Sequence, residues 1–436
     1  MQQNINNSSI TTNKLMLIVL PALALLLSAC GGGSDDNAVP APIPAPVDPT
    51  INLSSFQAAD VVIGQVDFTG TIANQGGTVD ANTLSLPYSN ALVHNSLLYI
   101  SDFRNHRLLG FNSLPTVNNT PADFVLGQVD FTSNVTSTTA TTFNGTMSPV
   151  VNDGKMFIPD FLNNRVLMWD TVPTSGNIPA DRVIGQADFT TSTPSCARNG
   201  LNGPAAIWSV GTKLIITEAN NNRVLIWNTL PTSNQQPADI VLGQQSFDRC
   251  ASNDSDGDGI PNSPTASTLK YPTGVWSDGT RLVISDSNNN RVLIWNSFPT
   301  TNAAAADVVL GQSDFSHVSA NDDDQNNTSG LATARSLFRP WLGVYSNGIQ
   351  LFITDTFNNR VLVWNSFPSS SFEPADTVLG QGDFNQSQRN DDDQNGIEDN
   401  AATARTLNQP GGIIQHGDKL IVTDSYNHRY LIYNGQ

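Results

Sequence analysis

Two short acidic stretches carry the sharpest chemical signal in this chain of 436 residues. One reads Asp254-Ser-Asp256-Gly-Asp258-Gly259-Ile-Pro-Asn262, the other Asp391-Asp-Asp393-Gln-Asn395-Gly396-Ile-Glu-Asp399. Oxygen donors at positions 1, 3 and 5, with glycine at 6 for the turn, are what Ca²⁺ takes from a short loop. We therefore expect Asp254, Asp256, Asp258 and Asn262, and likewise Asp391, Asp393, Asn395 and Asp399, to hold a structural calcium ion. The bidentate carboxylate at position 12 is missing, since Thr265 and Ala402 stand there, so the sites should be weak. A third stretch, Asp322-Asp-Asp324-Gln-Asn326-Asn327, lacks the glycine and is a poorer candidate. The competing reading of all three is a solvated acidic loop without metal.

These stretches sit in a repeat. A turn of the form Asp-x-x-Asn-x-Arg starts at Asp102, Asp160, Asp286, Asp355 and Asp424, with Glu218 in the same role, and an ending Gly-Gln-x-x-Phe starts at Gly64, Gly127, Gly185, Gly243, Gly311 and Gly380. The repeat arginines Arg107, Arg165, Arg223, Arg291, Arg360 and Arg429 are spaced 58, 58, 68, 69 and 69 apart, so the later units carry the insertions. Each unit reads as four short strands, the second and third almost wholly apolar and so buried on both faces. A period of this length means stacked supersecondary units. Four-stranded sheets around an axis make a β-propeller. The sixth unit ends at Gln436 without its fourth strand, while a spare strand, Ala59-Asp-Val-Val-Ile-Gly-Gln65, precedes the first. The expected fold is all-β: a six-bladed propeller closed by an N-terminal strand that completes the last blade and removes a free sheet edge.

The motif Asp-x-x-Asn-His/Asn-Arg, seen at Asp102-x-x-Asn105-His106-Arg107 and Asp424-x-x-Asn427-His428-Arg429, resembles the NHL-repeat β-propellers over about residues 58–436. That resemblance implies the propeller and says little about activity, since members serve as ligand sensors, RNA or protein adaptors and occasionally lyases. By the same kind of likeness, the acidic insertions are closer to the Asp-rich loops of thrombospondin-type-3 repeats than to EF-hands. A zinc lyase or calcium lactonase of propeller type would need His or carboxylate clusters at the axis. The first strands instead begin with residues such as Ala206-Ile207, Gly274-Val275 and Gly412-Ile413. The six turn Asp/Glu–Arg pairs read as ion pairs that hold hairpins, and Trp169, Trp227, Trp295 and Trp364 as core.

The N-terminus reads as an export leader over residues 1–29, with one cation, Lys14, before an apolar run that is short for a membrane span. Leu27-Ser28-Ala29-Cys30 resembles the bacterial lipobox, which implies lipidation at Cys30 and anchoring to a bilayer through its acyl chains; Gly31 after the cysteine implies the outer membrane, with the protein facing the periplasm or the exterior. Residues 30–55 form a lipidated Gly/Pro-rich tether, and 56–436 the propeller. In an exported protein, Cys196 and Cys250, in equivalent loops of adjacent blades, are a plausible disulfide, with two free thiols as the alternative.

There are 38 acidic and 20 basic residues, a formal charge of −18, which argues against nucleic acid. Strand alternation places the repeat turns, the insertions and both loop cysteines on one face, the upper face. Tyr88, Lys270, Tyr271, Arg339, Trp341 and Gln409 flank the first strands at its mouth. Aromatics beside cations suit a protein, peptide or carbohydrate ligand, with ordinary loop packing as the alternative. The reading is a monomeric, lipid-anchored binding or scaffold propeller. The runner-up is a propeller hydrolase or lyase with a metal in the central channel.

Overall fold

The computed structural model describes residues 48–436. The leader, Cys30 and residues 31–47 lie outside the described residues.

Six four-stranded antiparallel sheets surround one axis. Blade four shows the pattern: an inner strand Pro272–Ser277, then Leu282–Asp286, Arg291–Trp295 and an outer strand Val308–Leu310. The two middle strands of that blade are buried at every position. That double burial is why their sequences do not alternate. Apolar side chains of neighbouring blades then meet between the sheets; Trp276, Val283 and Ile294 pack with Val344, Ile353 and Trp364 of blade five. Burial of this kind contributes roughly 25 cal/mol per Å² of apolar area.

Closure is as expected. Val61–Ile63 pairs antiparallel with Arg429–Asn434, in the register Val61↔Ile432, Val62↔Leu431 and Ile63↔Tyr430. The last blade is thus built from both ends of the described chain. Packing begins earlier than the tether boundary at residue 55 would have it. Ile51 is buried, its N–H donates to Gln350 Oε1 at 2.8 Å, and its carbonyl accepts from Gln350 Nε2 at 3.0 Å. The Asp48 carboxylate accepts from the Tyr345 hydroxyl at 2.6 Å and from the Gly417 N–H at 3.0 Å. This strap lies on the lower face, across the seam between blades five and six.

At the axis the inner strands approach closely. A Cβ on Gly411 or Gly412 would collide with the backbone of Tyr88, Ser89 and Asn90 in the adjacent blade, so only glycine fits there.

Candidate functional site: the upper-face mouth and its acidic rim

Each repeat turn is a staple rather than a reactive pair. In all six blades the arginine Nε lies 2.5–2.8 Å from the turn carboxylate, with both side chains fully buried. The remaining guanidinium donors reach backbone carbonyls on both sides of the blade. Arg291 Nη1 donates to the Phe315 carbonyl at 2.5 Å, and Nη2 to those of Thr265 and Thr268 at 3.0 Å. Burial pushes the carboxyls up, Asp160 to about 6, while the guanidinium and the donors from Asn163 and Asn144 pull the other way. Every bond in the turn is donated to the carboxylate, so the ionised pair is the form the site is built around.

The residue before each arginine is left-handed, with φ of 53–55° at His106, Asn164, Asn222, Asn290, Asn359 and His428. Asn tolerates that region better than most residues, which accounts for its use at four of the six. Its side chain then accepts a backbone N–H from the lead-in to the next blade: Asn222 Oδ1 from Tyr271 at 3.0 Å, Asn290 Oδ1 from Arg339 at 2.8 Å, Asn359 Oδ1 from Gln409 at 2.8 Å. His106 and His428 do the same through Nδ1, to Gly145 and Leu86.

Those lead-in residues are themselves left-handed. Leu86, Tyr271, Arg339 and Gln409 have φ of 45–57°, and the two remaining equivalents are Gly145 and Gly203. A bulky side chain in this region costs about 1 kcal/mol or more, and such strain collects where a surface does something. Of the side chains named from the sequence, Tyr88, Tyr271 and Trp341 pack on one apolar cluster. Tyr88 of blade one lies 4.9 Å, centroid to centroid, from Trp341 of blade five, reaching past blade six over the end of the axis. Phe103, at 5.0 Å from Tyr88, and Tyr426, at 6.5 Å, extend the patch, and Phe161 continues it at 6.3 Å from Phe103. The Arg339 guanidinium sits over the Phe357 ring, 5.1 Å from its centroid. Burial raises the Tyr88 hydroxyl, Tyr426 adds to the effect and the Arg104 charge opposes it. At Tyr271 burial raises the hydroxyl and the Arg339 charge opposes it. Sequence reading missed Phe103, Arg104, Phe161 and Tyr426. All four fall one or two positions after a turn carboxylate, and the signal was that these positions vary where the rest of the turn repeats.

The acidic insertions take the paths the repeat predicts. Ligand oxygens of Asp254, Asp256 and Asp258 lie within 4.8 Å of one another, as do those of Asp391, Asp393 and Asp399. The Asp322 stretch forms no such group. Asn262 Oδ1 accepts the Ser255 N–H and hydroxyl, while Asn395 Oδ1 accepts the Ile397 N–H just as Asp258 Oδ1 accepts that of Ile260. Asp254 and Asp391 are buried, each accepts two backbone N–H groups of its own loop, and neither has a basic group within 4.0 Å among the described residues. Three converging carboxylates with glycine at the bend are a donor set of the kind Ca²⁺ uses. The loops are anchored by reciprocal amide pairs, Asn253 with Asn289 at 2.9 and 3.1 Å, and Asn390 with Asn427 at 2.8 and 3.1 Å. Cys196 and Cys250 are bonded to each other, with Cα atoms 6.3 Å apart, and tie the loop after Phe189 to the loop after Phe247.

Among the described residues, the two insertion loops are the only groups of three or more His, Cys or carboxylate side chains with converging ligand atoms. The axis offers no comparable set among the described residues. Two shallow hollows of about 240 and 360 Å³ lie away from the mouth, beside Gln65–Gln75 and beside Thr50 and Gln350.

No protein-family model matches the chain, and no curated protein matches it. Among solved structures it is similar to virginiamycin B lyase from Staphylococcus aureus, at 13% identity and a TM-score of 0.42, covering 81% of this chain and 97% of the other. A streptogramin B lyase structure matches at 11% identity and 0.41, covering 85% and 97%. A structural genomics protein of unknown function from Bacteroides thetaiotaomicron matches at 13% and 0.42, covering 85% and 76%. At these identities the likeness concerns the fold alone.

Proposed function

We propose that the protein is a lipid-anchored envelope binding module that engages a macromolecular ligand across its upper-face mouth. The observation that carries this reading is the Tyr88–Trp341 contact at the centre of a half-buried aromatic patch, edged by residues held left-handed at Tyr271, Arg339 and Gln409. An aromatic patch spread over several blades suits an extended protein, peptide or glycan surface. The acidic loops are calcium-stabilised rim elements, and Cys30 carries the acyl anchor to the outer membrane. The Cys196–Cys250 bond accords with an oxidising compartment.

Two measurements test this. Purified protein is incubated with solubilised envelope material fixed on a surface; Trp341→Ala, with melting unchanged, should lose most of the retained signal, and equal retention by the variant refutes the mouth as the binding surface. Cys30→Ser should abolish metabolic lipid labelling and release the chain from membranes, and a variant that stays membrane-bound and labelled refutes the anchor.

A further inference from the structure

The mouth differs in charge from the rest of the molecule. It is built from the lead-ins 85–88, 144–147, 202–205, 270–273, 338–341 and 408–411, and from the two residues after each turn carboxylate, 103–104, 161–162, 219–220, 287–288, 356–357 and 425–426. None of these residues is Asp or Glu, in a chain that has 38 acids, and three are cations: Arg104, Lys270 and Arg339. All three are exposed. None has a carboxylate within 4.0 Å among the described residues, although many other surface cations here are paired, such as Arg182 with Asp170 and Arg389 with Glu398. Three cations and no acid at the mouth of a chain of net charge −18 make a local reversal of sign. The exposed acids of the same face lie instead in the crossover turns, such as Asp67, Asp130 and Asp188, and in the insertions.

The neighbours of these cations narrow the ligand. Arg104 follows Phe103, which is edge-on to Tyr88, and Arg339 lies two residues before Trp341, which is tilted against the same tyrosine. Each charge thus borders a half-buried ring. Asn288 and Gln409, both partly exposed, make no side-chain hydrogen bond among the described residues, so their amides are open to a partner. Sugar rings offer C–H faces for the aromatics and hydroxyls for the amides, and an acidic sugar adds the carboxylate that a guanidinium grips in bidentate fashion. An acidic peptide fits less well, because strand addition needs a sheet edge and the mouth is formed by lead-ins and turns.

Resting on the mouth as the binding surface, we infer that the ligand is an anionic polysaccharide, its acid groups held by Arg104, Lys270 and Arg339 and its rings stacked on Tyr88 and Trp341.

Calorimetric titration of the full chain with polygalacturonate, neutral dextran of similar length and polyglutamate tests this. Polygalacturonate should bind and the other two should not. Arg104→Ala and Arg339→Ala should each weaken binding about tenfold, the loss of one charge-assisted contact. Arg335→Ala should change it little, since Arg335 stacks on Phe372 beside the outer strand of blade four. Equal weakening by Arg335→Ala would mean diffuse attraction, and dextran binding as well would mean a sugar site indifferent to charge; either overturns the inference. So does tighter binding of polyglutamate, or binding of none of the three probes. Retention on envelope material through Trp341 is read separately, so the mouth as a binding surface stands or falls on its own result.

Discussion

The Leu86 N–H donates to His428 Nδ1 at 2.8 Å, and this bond joins the last blade to the first. The imidazole must keep Nδ1 unprotonated to accept it. Burial, with the nearby Arg104 charge, pushes the His428 pKa down to about 4. The ordinary value is near 6.5, so the unfolded chain binds the proton more readily. Stability from this group is therefore complete above about pH 6.5 and is lost as pH falls toward 4. Asn holds the same left-handed position in four other blades and does not titrate. His428→Asn should fold normally and remove part of the acid sensitivity, about 1–2 kcal/mol between pH 7 and 4 after allowing for partial exposure. Parallel melting curves for variant and wild type across that range would refute the assignment.

Arg291 carries a heavier structural load. Replacing it with Met leaves Asp286 buried without its cation and abandons the carbonyls of Thr265, Thr268 and Phe315. Loss of one partner from a buried pair costs about 3–5 kcal/mol. The denaturant midpoint of Arg291→Met should fall accordingly, and Arg291→Lys should recover little because one ammonium cannot span four acceptors. A change below about 1 kcal/mol would show that the turn tolerates an unpaired acid.

Deletion of residues 56–68 should destabilise the whole ring. It removes the strand paired with Tyr430–Ile432, the Gln65 amide bonded to the Asn427 carbonyl, and the Phe68 carbonyl that Arg429 grips. The sixth blade then has an open edge, and melting should drop by about 10 °C or more with loss of solubility. Unchanged melting would mean that the other twenty-three strands close without it.

Millimolar Ca²⁺ should raise the melting temperature. At ten times a Kd of about 10⁻³ M, each site stabilises the native state by about 1.4 kcal/mol, or roughly 2 °C for a ring of this size. Mg²⁺ should do less, since it keeps its waters and demands a tighter shell. Asp256→Ala combined with Asp393→Ala should remove most of the shift. A wild-type melt indifferent to Ca²⁺ would leave the loops as acidic tips.

The sequence by itself determined the ring. Period, strand pattern, turn pairs and the displaced strand at Ala59 all follow from local chemistry repeated six times, and repetition lets each unit be read against the others. It also marked the carboxylates that gather: Asp254, Asp256 and Asp258 at positions 1, 3 and 5 of one short turn, and Asp391 and Asp393 with Asp399 from position 9 of the other. The repeat placed Tyr88 and Trp341 at the mouth, but only tertiary structure brings them into contact. Tyr88 and Trp341 are about 250 residues apart and meet only because closing the ring brings blades one and five to a common axis. It alone decided that Tyr271, Arg339 and Gln409 are held left-handed, because that conformation is imposed by an acceptor on the preceding blade, which no local propensity encodes. And it alone showed that packing reaches back at least to Asp48, whose partners Tyr345 and Gly417 come from the far end of the chain.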